Sequence, residues 1–142
     1  MAATLKNPPP STPSFLVSFP RPHILLVTIN RQHAMNSITM AGHAEGAELF
    51  EWFDEEPNLR VAVVTGAGTR SFCAGQDLID LNKRKTTKAS EEDAASTTEK
   101  IEPLGVPPAG FMGISRRVGK KPIIAAVNGF ALGGGFEICL NW

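Results

Sequence analysis

The glycine-rich stretch at residues 121–137 decides the fold, and it reads Lys121-Pro-Ile-Ile-Ala-Ala-Val127-Asn-Gly-Phe-Ala-Leu-Gly133-Gly-Gly-Phe-Glu137. Its apolar part, residues 123–127, is a short continuous run typical of a buried strand. Asn128-Gly129 is a turn signal, and the three glycines at 133–135 are placed to open a helix. The stretch therefore predicts a strand that leads through a glycine loop into a helix.

An earlier segment of the chain also predicts a strand followed by a glycine-containing loop. The apolar run at residues 61–65 ends in Gly66-Ala-Gly68 and is followed by Ser71-Phe-Cys-Ala-Gly-Gln-Asp-Leu78. Small residues leave the backbone bare, so that amide N–H groups can donate to a ligand.

In the later stretch the amides would lie at a helix start, which favours developing negative charge. Glu137 follows Gly134 by about one helical turn, and helical side chains lean toward the helix start. The two glycine segments together predict an oxyanion site with a carboxylate beside it.

Strands alternate with helices along the rest of the chain, which favours the α/β class. Residues 15–19 and 23–29 are predicted as neighbouring strands because they are apolar runs separated by a proline turn. An amphipathic helix is predicted to begin at Thr39, its N-cap, and to end before Pro57. The helical spacing of Phe111, Ile114 and Val118 predicts another helix.

Two regions differ from this pattern. Residues 1–14 contain Pro8-Pro9-Pro10 and too few apolar side chains to offset their ordering entropy, so we expect a flexible tail. Residues 83–109 change from basic to acidic to proline-rich, which is typical of a mobile surface loop that is partly helical. Residues 15–142 are expected to share one core, as the N-terminal part of a single domain that is incomplete here.

Composition limits the partners. The chain has 142 residues, of which 42% are hydrophobic and 20% charged, as in an ordinary globular domain. Fourteen basic residues balance fourteen acidic ones, which argues against binding to nucleic acid or to a membrane surface. No apolar run reaches the roughly 20 residues that a membrane span requires. We therefore expect a soluble intracellular protein.

No metal site is expected. Cys73 and Cys139 have no metal-ligand spacing and are too few to staple a small secreted domain, so they are interpreted as free thiols in a reducing compartment. His23, His33 and His43 have no carboxylate or cysteine at a recognisable ligand spacing. They are interpreted as surface or loop histidines.

The glycine segments resemble those of the crotonase, or enoyl-CoA hydratase/isomerase, superfamily. Residues 71–78 are similar to the first oxyanion and coenzyme A segment of that family, and residues 121–137 to the second. Asn30-Arg31 with Met35-Asn36-Ser37-Ile38 resembles the first CoA-contacting loop, about one residue shorter than its commonest form. The resemblance implies a crotonase-like spiral of repeated β-β-α units, here truncated before the family's C-terminal helical region.

The resemblance also implies roles for individual residues. The amides of Gln76 and Gly134 would bind the thioester carbonyl oxygen as it becomes enolate-like. Glu137 matches the first catalytic glutamate, which acts on the water that adds to an enoyl-CoA. The residues matching those that line coenzyme A are Arg31, Ala34, Ala74, Asp77 and Leu78, with Arg31 as the expected phosphate partner.

Further implications concern the assembly. No separate cofactor is needed, since coenzyme A is part of the substrate. The full-length form would be a homotrimer or a dimer of trimers, and the family suggests a mitochondrial or peroxisomal location that this chain does not itself reveal.

Two alternatives stay open beside the hydratase. One is an isomerase that shifts a double bond on the same scaffold, whose carboxylate commonly lies beyond Trp142. The other is a non-catalytic truncated fragment, because the family's second glutamate has no counterpart here; the chain alone is then expected to show little hydratase activity. A Rossmann-like enzyme is disfavoured, since the first strand runs into Pro20-Arg-Pro22 rather than a glycine fingerprint. The presence of Glu137 favours the hydratase.

Overall fold

Three successive β-β-α units make up the computed structural model, which describes residues 5–91 and 106–140. The strands are β1 (Phe15–Ser18), β2 (Ile24–Ile29), β3 (Val61–Gly66), β4 (Ser71–Cys73), β5 (Ile123–Ala126) and β6 (Phe130–Ala131). The helices are α1 (Met40–Glu55), α2 (Leu78–Glu91) and α3 (Gly134–Leu140). The predicted α/β class with repeated β-β-α units is confirmed.

Four strands form the main sheet, in the order β1-β2-β3-β5. Strand β1 pairs antiparallel with β2, whereas β2, β3 and β5 are parallel. The loops that follow β3 and β5 therefore leave the sheet at the same edge, where ligands bind in open sheets of this kind. Strands β4 and β6 form a small second sheet from those two loops.

One face of the main sheet packs on the hydrophobic core. Alternate residues of β2 and β3 are buried, among them Leu25, Val27 and Val64. In β5, Ile123 is buried but Ile124 is 53% exposed. The continuous apolar run predicts burial on both faces, and the described residues cover only one.

Helix α1 covers the buried face. It begins as predicted at Thr39, whose Oγ1 accepts a hydrogen bond from Gly42 N at 3.1 Å. Gly46 allows the segment around Met112 to lie directly on the helix, because a Cβ at Gly46 would overlap the Met112 carbonyl group. This close packing brings residues 110–113 onto the helix face that also carries His43.

Two local predictions are wrong. The spacing of Phe111, Ile114 and Val118 predicts a helix, but the structure has only a 3-10 turn at Phe111–Gly113. Met112 has φ 54 and Gly113 φ 69, left-handed conformations that an α-helix excludes. His43, expected at the surface or in a loop, is 0% exposed on the inner face of α1.

The described part of the expected flexible tail is hydrogen-bonded to the domain. The Glu56 carboxylate accepts from the amides of Lys6 and Asn7 at 2.9 and 3.1 Å, and Glu45 accepts from Ser14 N at 2.8 Å. Residues 5–14 therefore differ from the prediction, and residues 1–4 lie outside the described part.

The predicted loop at residues 83–109 begins within α2, and its residues 92–105 lie outside the described part. Across the ranges 5–91 and 106–140, no helix is long and apolar enough to cross a membrane.

Candidate active site

The two glycine segments meet where β4 pairs in parallel with β6. Leu132 N donates to Cys73 O at 3.0 Å, which joins the segments just before Gly133. Gly75 has φ 92, and a Cβ there would lie 2.8 Å from Leu132 O and 3.5 Å from Gly134 N. The Gly134 amide is therefore close to the peptide that joins Gly75 to Gln76.

Both candidate oxyanion donors are available for a ligand. An isolated bridge pairs Ile38 with Gln76 through Ile38 N to Gly75 O and Asp77 N to Ile38 O, both 2.8 Å, and neither bond uses the Gln76 N–H. The Gly134 N–H begins α3, where first-turn amides have no intrahelical acceptor. Within residues 5–91 and 106–140, neither amide donates to the protein. Two neighbouring amides of this kind can bind one oxygen atom.

Glu137 lies in the first turn of α3. Its amide donates to Gly133 O at 3.1 Å, and its side chain is on an exposed part of the helix. Helical side chains in general lean toward the helix start, and Gly134 lies about one turn before Glu137 at the start of α3. The structure thus places the Gln76 and Gly134 amides and the backbone of Glu137 in neighbouring segments.

The predicted coenzyme A residues lie beside these amides. Arg31 Nη2 pairs with Asp77 Oδ2 at 2.9 Å, and Arg31 Nη1 donates to Ser37 O at 2.7 Å. Ala74 N donates to Met35 O at 3.1 Å. The loop that contains Arg31 is therefore bound directly to the first glycine segment.

Two further predicted contacts are accessible. Leu78 is 71% exposed at the start of α2, and Ala34 is half-buried in the 3-10 turn Gln32–Ala34. Leu78 directly follows Asp77, and Ala34 N donates to Arg31 O at 2.9 Å.

Both oxygens of the Asp77 carboxylate have partners within the protein. Its Oδ1 accepts from the amides of Asp80 and Ile79, each at 3.0 Å, and so caps α2. The Asp80 amide, together with the Arg31 guanidinium on the other oxygen, holds the pKa of Asp77 below its usual range. A phosphate group at Arg31 would have to share the guanidinium with Asp77.

Two asparagines that the sequence analysis did not single out fix the strand ends. Asn36 Nδ2 donates to Ala67 O at 2.9 Å and to Ser71 O at 2.8 Å. Asn128 Nδ2 donates to Gly66 O at 2.7 Å, and its Oδ1 accepts from Gly66 N at 3.0 Å. The Asn128-Gly129 pair signals only a turn, and nothing local in the sequence distinguishes Asn36.

His43 is the third residue that was missed. Its Nε2 lies 2.7 Å from Gln76 Oε1, and its Nδ1 accepts a hydrogen bond from Met112 N at 3.0 Å. Burial lowers the pKa of His43, against the opposing effects of Gln76 and Asp80. The imidazole therefore links the first glycine segment to the turn at residues 111–113.

The surface of the described residues includes the following two grooves. One, of about 340 Å³, is lined by the loop of Gln32 and Asn36 and by residues 67–71, next to the predicted coenzyme A loop. The larger one, about 550 Å³, lies between α1 and residues 107–118 and contains none of the predicted site residues. The smaller groove contains none of them either, so neither groove is lined by Gln76 or Gly134. The described residues contain no cluster of three metal-ligating side chains.

Comparison with known proteins identifies the family of the chain. The family model described as enoyl-CoA hydratase/isomerase matches residues 21–141. A mevalonyl-coenzyme A hydratase of Beauveria bassiana is 46% identical over 96% of this chain and 47% of its own length. An (E)-benzylidenesuccinyl-CoA hydratase of Thauera aromatica is 38% identical over 83% of this chain and 41% of its own.

Solved structures agree with these relatives. A carnitinyl-CoA dehydratase of Mycobacterium avium has a TM-score of 0.68 at 36% identity, over 91% of this chain and 43% of its own. An enoyl-CoA hydratase of Mycobacterium tuberculosis has a TM-score of 0.69 at 34% identity, with the same two shares covered. The chain spans about half the length of the relatives it matches. With the family model matching almost all of its residues, the chain belongs to the enoyl-CoA hydratase/isomerase family.

Proposed function

We propose that the protein hydrates an enoyl-CoA thioester, with Gln76 N and Gly134 N as the oxyanion donors and Glu137 as the general base. The observation that carries the proposal is the approach of Gly134 N to the Gly75–Gln76 peptide, both amides lacking an acceptor within the described residues. Family membership supports it, and so do the hydratase and dehydratase relatives, whose names all specify a CoA thioester.

The chemistry follows from the charges that develop. Glu137 takes a proton from water as the water oxygen bonds to the β-carbon of the enoyl group. The electrons of the double bond move toward the thioester, whose oxygen gains negative charge that two amide donors stabilise. The proton returns at the α-carbon, so that enoyl-CoA and water give a 3-hydroxyacyl-CoA.

Coenzyme A is proposed to enter as part of the thioester substrate, and no separate cofactor takes part in the reaction. Its proposed contacts are the backbone around Ala74 and Asp77, with Arg31, Ala34 and Leu78 at the edge of the same surface. Assembly of the full-length form as a homotrimer or a dimer of trimers stays a prediction from the family resemblance.

The test compares two variants at one position. Gly134→Ala keeps the amide donor, whereas Gly134→Pro removes it, and both add a Cβ that overlaps the Phe111 ring. Proline fits the first position of a helix, so the main difference between the variants is the N–H group. With crotonyl-CoA and the complete protein, we expect kcat for Pro to be about 100-fold lower than for Ala.

Three other results would contradict the proposal. Equal turnover by the two variants would remove Gly134 N from the oxyanion site. A wild-type protein that converts a 3-enoyl-CoA to the 2-enoyl form but does not hydrate crotonyl-CoA would be an isomerase, and one that does neither would be a non-catalytic fragment.

A further inference from the structure

His43 lies between the two segments that carry the candidate amides. It is 0% exposed, and its Nε2 lies 2.7 Å from the side-chain oxygen of Gln76, the residue whose amide is the first proposed donor. On its other side, its ring meets Phe111 edge to face, with centroids 4.5 Å apart. The Phe111 ring in turn packs on Gly134, where a Cβ would overlap it. One imidazole thus contacts both halves of the amide pair, directly at Gln76 and through Phe111 at Gly134.

The hydrogen bonds fix the protonation of the ring. Met112 N–H donates to Nδ1 at 3.0 Å, so Nδ1 must be unprotonated. Nε2 then carries the proton and donates to Gln76 Oε1, which can only accept. The neutral ring with its proton on Nε2 satisfies both partners, and a second proton would displace the Met112 amide.

The contact at Met112 also holds an unfavourable backbone conformation. Met112 has φ 54, which a non-glycine residue adopts only when its surroundings enforce it. Its amide is held by His43, and its carbonyl group lies against Gly46 one turn further along α1. The same imidazole therefore helps to place Phe111 over Gly134.

We propose that His43 is a positioning residue of the oxyanion site, which sets the orientation of Gln76 and Gly134 toward each other without touching the substrate. The inference rests on the proposed function of the two amides. It assigns a role to a buried histidine that the hydration chemistry itself does not use.

The experiment measures polarisation of a thioester carbonyl in the complete protein. Butyryl-CoA labelled with ¹³C at the carbonyl binds without being hydrated, because it has no double bond. Infrared difference spectra give the lowering of its C=O stretching frequency on binding, a direct measure of donation by the two amides. In His43→Phe, which keeps an aromatic ring but loses both hydrogen bonds, we expect less than half of the wild-type frequency lowering. We expect kcat for crotonyl-CoA to fall by about 10- to 100-fold with KM little changed, since the donors are misplaced rather than removed.

Leu59→Ala serves as the matched control for loss of stability. Leu59 is 1% exposed and precedes β3, at the strand end opposite the glycine loops. This variant should unfold at lower denaturant concentration but keep the wild-type carbonyl frequency. If both variants lower the carbonyl polarisation in proportion to their lost stability, the role of His43 is only structural and the inference is wrong.

Two other outcomes distinguish a failure of this inference from a failure of the proposed function. A wild-type protein that shows neither carbonyl polarisation nor hydration refutes the proposed function. Wild-type polarisation that persists unchanged in His43→Phe leaves the function standing and refutes the inference.

A double-mutant cycle with Gln76→Ala and His43→Phe tests whether His43 acts through Gln76. Gln76→Ala keeps the backbone amide but removes the hydrogen-bond acceptor of His43. The double variant should therefore lose little more carbonyl polarisation than either single variant. His43→Gln, which keeps a donor toward Gln76, should restore part of the frequency lowering. Additive losses with no restoration by glutamine would overturn the route.

Discussion

The two segments that carry the candidate amides are held in place by different means. The first, residues 71–78, is fixed by polar side chains from other elements: Asn36 donates to Ser71 O at 2.8 Å, and Arg31 pairs with Asp77 at 2.9 Å. The second, residues 128–137, has one polar anchor in Asn128 and depends otherwise on missing side chains, because a Cβ at Gly129, Gly134 or Gly135 would overlap Arg70, Phe111 or Cys73. The first segment should therefore be sensitive to charge and pH, and the second to volume.

The largest expected effect is on the chemical step rather than on how the two segments are held in place. Glu137→Gln removes the proposed proton acceptor while keeping nearly the same volume, so crotonyl-CoA hydration should fall by about 10²- to 10⁴-fold. The affinity for coenzyme A should change little. The control is Glu55→Gln, an exposed glutamate at the end of α1, which should leave turnover unchanged. Wild-type turnover by Glu137→Gln would remove Glu137 from the mechanism.

The next effect tests the dependence of the second segment on volume. Gly135→Ala places a Cβ against Cys73 O, a backbone atom of β4 that can move only with its strand. We expect a loss of about 3 kcal/mol in the free energy of unfolding, measured by urea titration. Gly133→Ala is the matched control, since a Cβ there meets nothing within 4 Å. Its φ of 52 still strains an alanine by about 1 kcal/mol. Similar losses for both variants would mean that backbone strain, and not close packing, sets the glycine requirement.

The sequence predicts the structural features that depend on neighbouring residues. The Thr39 cap, strands β3 and β5 and the helix that opens in the glycine run all follow from neighbouring residues. The contacts that fix the segments join distant residues, such as Met112 with His43, 69 positions apart. Helical periodicity cannot reveal such pairs, and it misled at residues 111–118 because Gly110 and Gly113 adopt φ 82 and 69.

A third, smaller effect concerns the polar anchoring of the first segment. Asn36→Gly removes two donors and one acceptor, including the hydrogen bond to Ser71 O, but tolerates the φ of 56 at this position. Because buried carbonyl groups lose their donors, we expect a loss of about 2 kcal/mol in the free energy of unfolding by urea titration.

Asn36→Ala should lose slightly more than Asn36→Gly, the difference being the strain of a left-handed alanine. A glycine variant as stable as the wild type would show that these hydrogen bonds do not hold the segment.

The smallest effect is expected from Asp77→Asn, and it depends on pH. The Asp80 amide and the Arg31 guanidinium hold the pKa of Asp77 below its usual value, so the folded state favours the carboxylate. The stabilisation is fully present above the ordinary aspartate pKa of about 3.9, and it is lost as pH falls through the lower folded value. At pH 7 we expect Asp77→Asn to be about 1 kcal/mol less stable than the wild type, with the difference shrinking below about pH 4. Gly135→Ala is the comparison, because steric overlap has no titrating group and its loss should not shrink in this way over the same pH range. If the deficit of Asp77→Asn stays constant down to pH 3, its cause is the altered cap of α2 rather than the charge. The first segment would then depend on shape, as the second does.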